Sequence, residues 1–422
     1  MADNFETLLK SGFKEKTSKA LNYFWIGFII YSASFALSTT STVNFIACQM
    51  FQIFGLVLMI PAVIKLIQWR FDNNYLKILY ILYCSWLLSI IFRGFSFDYS
   101  SLKNMLFDAQ SGLLRYFVPL ILLFPKKLPY YKKLFTVILF LGLVFIIYDI
   151  LFIDNLMDLN YENYDTKFTF EYFTKILSIP CGFILLTFIY HSKRRILFAL
   201  FIIFVNVSFA IFRARRALIF MTLSPLVICY LLYLYSCKRK FLIIFFSLII
   251  GSFLFFYAIK VYNQNKYSAF SLITDRIYDD SRTGVEKSFY DDMNTQDWII
   301  GKGINGQYYC PGIDLSNLTG YRSMIETDYL NIILKGGIIS LGLLLLILIP
   351  AIFKGIFRSR NLISKAAGFW IFLWLISLYP ATVNTFSLNY LLVWISIGIC
   401  YSNEIRSMSE SRIKEIFSTK SN

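Results

Sequence analysis

Apolar runs long enough to cross a bilayer recur along almost the whole chain, and no other feature restricts the fold as strongly. About 20 apolar residues span the hydrocarbon as a helix. Such runs fall near residues 21–41, 44–64, 76–92, 106–125, 134–153, 174–190, 196–212, 217–236, 241–260, 333–353, 366–383 and 385–402. They lack the two-residue alternation of a membrane barrel, and lipid admits only helices and closed barrels as spanning structures. The sequence therefore predicts an all-α polytopic membrane protein with about twelve transmembrane helices. Only the 106–125 run is seriously interrupted, by Asp108, Gln110 and Arg115. The first run follows about twenty polar residues without a small-residue cleavage pattern, so it is expected to stay as an anchor.

Basic residues set the expected orientation, because Lys and Arg are retained on the cytoplasmic side. Lys10, Lys14, Lys16 and Lys19 precede the first run. Lys65 and Arg70, then Lys126, Lys127, Lys132 and Lys133, then Lys193–Arg195 and Lys238–Lys240 follow the even-numbered runs. Lys354, Arg358, Arg360 and Lys365 complete the series, while the odd-numbered connections are poor in basic residues or acidic, as from Asp154 to Glu171. Both termini are expected in the cytoplasm of a bacterium, with the chain in its inner membrane. The boundaries are then a cytoplasmic segment at 1–20, nine helices over 21–260, one large non-cytoplasmic loop over 261–332, three helices over 333–402 and a cytoplasmic tail at 403–422.

The net charge of +16 follows from these loops, so nucleic acid is not an expected partner, whereas the lipid bilayer is. The seven cysteines give no disulfide framework, since only Cys310 lies in the large loop.

One cluster breaks the charge rule. Arg213, Arg215 and Arg216 fall between the seventh and eighth runs, on the expected outer side. They either snorkel to lipid phosphates or form a clamp for a phosphate-bearing ligand, which the rigid guanidinium fork suits. Three arginines at a boundary where each costs about 2.5–3.5 kcal/mol favour the clamp. Arg115 is expected near mid-membrane. In a continuous helix Asp108 would be two turns away, too far for the usual ion pair, which makes Arg115 a further functional candidate.

In the large loop, Gly301 to Gly306 match G-x-G-x-x-G without a strand–helix context, so tight turns are the expected use of those glycines. The acidic pairs Asp279-Asp280 and Asp291-Asp292 fix no ligand count, and no metal is predicted. Glu326 is either a helix cap or a base, with Asp328 as the alternative carboxylate. Tyr308, Tyr309 and Tyr321 either pack locally or stack on sugar faces.

Ala214-Arg215-Arg216-Ala217-Leu218, Asp280-Ser281-Arg282, Ile300-Gly301-Lys302-Gly303 and Glu326-Thr327-Asp328-Tyr329-Leu330, with Gly336, Gly337 and Gly342 after it, occur in that order. The arrangement resembles the family of O-antigen polymerases and O-antigen ligases over about Arg213 to Pro350. The resemblance implies a GT-C-like membrane glycosyltransferase that needs no metal or other cofactor. Its substrates would be oligosaccharide repeat units linked to undecaprenyl diphosphate, with room for a chain-length regulator protein as a partner. It further implies Arg215 and Arg282 on the diphosphate and Glu326 as the catalytic base. Arg115, Arg213, Arg216, Asp328 and Tyr329 would contact the substrate.

Ligases of the family carry histidine where Glu326 stands, and His191, the one histidine, is expected on the cytoplasmic side. That favours a polymerase over a ligase moving finished glycan to lipid A core or protein. A flippase for lipid-linked sugars is the third reading, against which stands the absence of paired halves in the sequence.

Overall fold

The computed structural model describes every residue except 1, 41, 96, 158–163, 268–269, 271–273, 275–280, 312–318 and 419–422. Asp279 and Asp280 fall outside the described residues.

Polar residues start several helices where the apolar runs begin. Asn44, Asn73 and Asn361 stand before Phe45–Leu66, Asn74–Gly94 and Leu362–Ser377, and each side-chain oxygen accepts from first-turn backbone N–H groups. Among the described residues, nine helices are long and apolar enough to cross a membrane: Lys16–Ser38, Phe45–Leu66, Asn74–Gly94, Leu128–Leu151, Phe168–Leu186, Lys193–Phe212, Arg216–Tyr235, Lys240–Asn265 and Asp328–Phe357. Shorter apolar helices, Leu113–Leu123, Leu362–Ser377 and Leu388–Tyr401, stand where the other three runs were expected. The described strands are a two-residue pair, Tyr308–Tyr309 against Tyr321–Arg322. The chain is thus an all-α polytopic membrane protein. Close packing of its first two long helices depends on Gly27 and Gly55, where an added Cβ would lie 2.5–2.6 Å from the facing carbonyl oxygen.

The 106–125 run does not form one helix. Asp108 ends the Tyr99–Phe107 helix and accepts from Gln110 N–H at 2.7 Å and from the Ser111 hydroxyl, which folds residues 108–112 into a turn. The chain continues as a 3₁₀ helix, Leu113–Leu123, with Pro119 inside. Arg115 therefore sits at the first turn of a separate element, and the two-turn separation expected between it and Asp108 does not apply.

The segment expected as the large loop, 261–332, contains helix. Helix continues to Asn265 at its start, resumes at Ser281–Asp292 and Thr295–Ile300, and the last long helix begins at Asp328. That last helix is broken at Gly337, which has φ 68°. Residues 301–306 run back to the break and replace the lost helical hydrogen bonds. Lys302 N–H donates to Leu334 O at 2.7 Å, Gly303 N–H to Lys335 O at 3.0 Å and Trp86 Nε1 to Gly336 O at 2.8 Å. In an apolar bundle unpaired carbonyls would be costly, and the loop backbone removes that cost. The Gly-x-Gly run works here: a Cβ on Gly301 would lie 2.5 Å from Gly336 N, and one on Gly337 2.0 Å from Ile299 O. Nothing in this arrangement resembles a nucleotide cradle.

Helix directions place the candidate residues. Pro225 meets Trp370 at Gly182, and Lys365 lies over the Tyr235 ring at 5.1 Å, so Arg216–Ser236 and Leu362–Ser377 run antiparallel. The start of the first and the end of the second share one end of the bundle. Arg282 reaches Pro380 O at that end, and Phe386 N–H donates to Ala109 O there.

Candidate functional site

Asp328 organises this end. Its carboxylate is fully buried and accepts from Val383 N–H at 2.7 Å, Asn384 N–H at 2.6 Å and Asn331 Nδ2 at 3.2 Å. These bonds hold the non-helical connection between Leu362–Ser377 and Leu388–Tyr401 inside the bundle, where its N–H groups would otherwise be orphaned. Asp328 is therefore sealed behind backbone, and its described role is to pin that connection.

Beside it lies a small recess lined in part by Arg115, Lys335, Asn331, Asn384, Tyr83 and Tyr390. Arg115 is 3% exposed, donates to Gln110 O at 3.0 Å and Tyr116 Oη at 2.8 Å, and feels the charges of Asp328 and Asp108. The sequence expected it unpaired. The turn at Asp108 brings partners that a straight helix would have kept away. Lys335, equally buried, donates to Gly306 O at 2.7 Å. Sequence reasoning gave Lys335 no role, although a lysine inside an apolar run is a signal in itself.

At the same end of the bundle, Arg282 approaches Glu326 at 3.5 Å and donates to Pro380 O at 2.8 Å. The Glu326 side chain is 67% exposed. Four residues after Arg282, Glu286 accepts from the buried Thr327 hydroxyl. Tyr329 is half-buried next to Tyr290. Of the tyrosines expected to meet sugar, Tyr308 is buried and bonds Met324 O at 3.2 Å, while Tyr309 and Tyr321 pack on one another at 5.4 Å. Asp292 bonds Lys302, which Asp297 also approaches at 3.7 Å. Among the described residues no acidic, His or Cys group is arranged to hold a metal.

The Arg213–Arg216 cluster forms the turn from Lys193–Phe212 into Arg216–Ser236. Arg215 N–H donates to Ala210 O and Ala214 N–H to Ile211 O, with Ala214 at φ 52°, a Schellman ending with alanine where glycine is usual. Replacing Ala214 with glycine should raise stability by about 0.5–1 kcal/mol, read as a higher midpoint on thermal denaturation in detergent. Arg213 is buried and Arg216 exposed. Arg215 pairs with Glu171 at 3.2 Å, and Glu171 also holds Lys175 at 2.6 Å. Glu171 had been read only as part of an acidic connection. It neutralises part of the cluster. Arg215 and Arg282 share an end of the bundle but have separate partners.

His191 sits far from this site, edge-on to Phe135 and 2.9 Å from the Thr187 hydroxyl. Burial, aided by Arg195, pushes its pKa down to about 4, which leaves a neutral packing group. Compared with family models, curated proteins and solved structures, the chain has no match.

Proposed function

We propose that the chain is a polysaccharide polymerase of the bacterial inner membrane. It would cross the membrane about twelve times, with the three shorter helices as spans, and carry its site on the outer side. The observation that supports this best is that Arg115 and Lys335 line one recess at a broken helix, at the end of an apolar bundle where Arg282 and Arg215 are also found. In the proposed reaction, the acceptor hydroxyl of a lipid-linked repeat unit attacks the anomeric carbon of the growing glycan. The C–O bond to undecaprenyl diphosphate breaks, and its electron pair goes to the diphosphate. Cations fixed around that group stabilise charge that grows towards the transition state.

The ion pairs fit this role. An exposed pair such as Arg282–Glu326 is worth only about 0–1 kcal/mol, so a diphosphate displaces the carboxylate at little cost. Displacement frees Glu326 to take the acceptor proton, worth about 10²–10⁴-fold in rate. Arg115 Nε and Asn331 Oδ1, which have no protein partner, leave polar capacity in the recess.

The break at Gly337 gives the transporter reading one specific point in its favour, because discontinuous helices form binding sites in transporters. Purified protein in vesicles with lipid-linked repeat units separates the two. A polymerase lengthens the glycan, whereas a transporter moves it unaltered across the bilayer. Absence of extension by folded protein would remove the polymerase reading.

A further inference from the structure

Beside the Arg282–Glu326 pair stands a group of aromatic rings with a carboxylate at its edge. Tyr290 and Trp298 stack with centroids 5.9 Å apart and planes 11° apart. Phe289, fully buried, supports both from within, edge-on at 5.8 and 5.7 Å. The Tyr329 hydroxyl faces that of Tyr290, with Glu286 and Tyr379 close by. Tyr290 is 46% exposed and Tyr379 64%. Arg282, Glu286 and Tyr290 follow at four-residue spacing along Ser281–Asp292, so they share one face of that helix. Glu286 is fixed by Thr327, and the packing around Phe289 and Tyr308 anchors the ledge.

This combination selects its ligand. A lipid tail has no use for Glu286, and an anionic headgroup is repelled by it. The phosphates of a nucleotide are repelled by it likewise. A pyranose has an apolar C–H face that packs on a ring and a rim of hydroxyls that donate to a carboxylate. We propose that this ledge holds the acceptor sugar, its face against Tyr290 and a hydroxyl donating to Glu286. The inference rests on the polymerase reading for the sugar's role. One helical turn then separates the acceptor's contact at Glu286 from Arg282, which keeps acceptor and diphosphate within reach of each other.

The test uses full-length protein in detergent and lipid-free repeat-unit oligosaccharide, released by mild acid from the producing cell's own lipid-linked repeat units. Saturation-transfer NMR should show contact between aromatic protons and sugar C–H groups. Tyr290→Ala and Glu286→Gln should weaken binding about tenfold, with Tyr290→Phe staying near wild type. Tyr309→Ala, on the hairpin, should change nothing. In the extension assay, Tyr290→Ala should raise the acceptor KM more than it lowers kcat. Equal binding by wild type and Tyr290→Ala, or no binding by either, overturns the ledge. If wild type extends glycans while Tyr290→Ala binds and extends equally, the ledge alone fails. If wild type extends nothing yet binds saccharide through Tyr290, the polymerase reading fails and the ledge stands.

Discussion

Replacing Gly337 with alanine should unfold the end of the bundle that carries the candidate site. Two effects add. An alanine at φ 68° and ψ −178°, a region essentially reserved for glycine, is strained by about 1–3 kcal/mol. Its Cβ would also lie 2.0 Å from Ile299 O, a backbone atom with no flexible end to swing away. Relief requires the 299–303 segment to withdraw, which breaks the bonds to Leu334 O and Lys335 O. Each buried carbonyl left unpaired costs about 1–3 kcal/mol, so the total loss reaches roughly 5 kcal/mol. That is a large part of the stability of an ordinary protein. Gly342 in the same helix provides the control, since a Cβ there meets nothing within 4 Å. Gly342→Ala should be neutral or stabilising by about 1 kcal/mol. Melting in detergent distinguishes them, and a Gly337→Ala midpoint equal to that of Gly342→Ala would show that the break does not need its glycine.

The second large effect concerns chemistry. Under the proposed function, Arg215→Ala and Arg282→Ala should each reduce glycan extension by about 10²–10³-fold, as loss of one preorganised donor does at other sites of developing negative charge. Single repeat units should accumulate on the lipid. Lysine at position 282 should restore only part of the rate, because an ammonium lacks the paired donors that match phosphate oxygens. Arg216 is exposed, and Arg216→Ala should change the rate by no more than about threefold. The extension assay with lipid-linked repeat units reads all four variants. Normal chain lengths from a correctly inserted Arg215→Ala protein would remove that residue from the mechanism. Because Arg215 also pairs with Glu171, Glu171→Gln belongs in the same series. It removes the internal partner without removing the guanidinium.

Hydrophobic length is a one-dimensional property, so among the described residues nine of the expected runs are found as helices long enough to span and the other three as shorter apolar helices. What breaks a run is harder to read. Asp108 looked like an ordinary polar interruption, but its side chain captures Gln110 N–H and the Ser111 hydroxyl and turns the chain. The arginine cluster was visible in the sequence, whereas its partner was not. Glu171 is distant along the chain, and only packing of the Tyr164–Phe173 helix against the turn brings it to Arg215. Asp328 was expected as the alternative carboxylate to Glu326 and, by the resemblance, as a substrate contact. Its sealed contacts with Val383 and Asn384 follow from a connection that the apolar pattern had assigned to helix ends. Glu286 and Tyr290 were legible in principle, because their spacing from Arg282 is helical. No recognisable motif marks that face.

The repair of the broken helix by residues 301–306 has a consequence for biogenesis. Trp86 and the carbonyls of Ile90, Gly94 and Leu334 belong to segments made at very different times, yet they meet around one backbone stretch. The third hydrophobic segment to leave the ribosome waits, half-finished, until the chain's last third has been inserted. Truncation shortly before that point should therefore leave the early segments threaded but poorly protected from proteases.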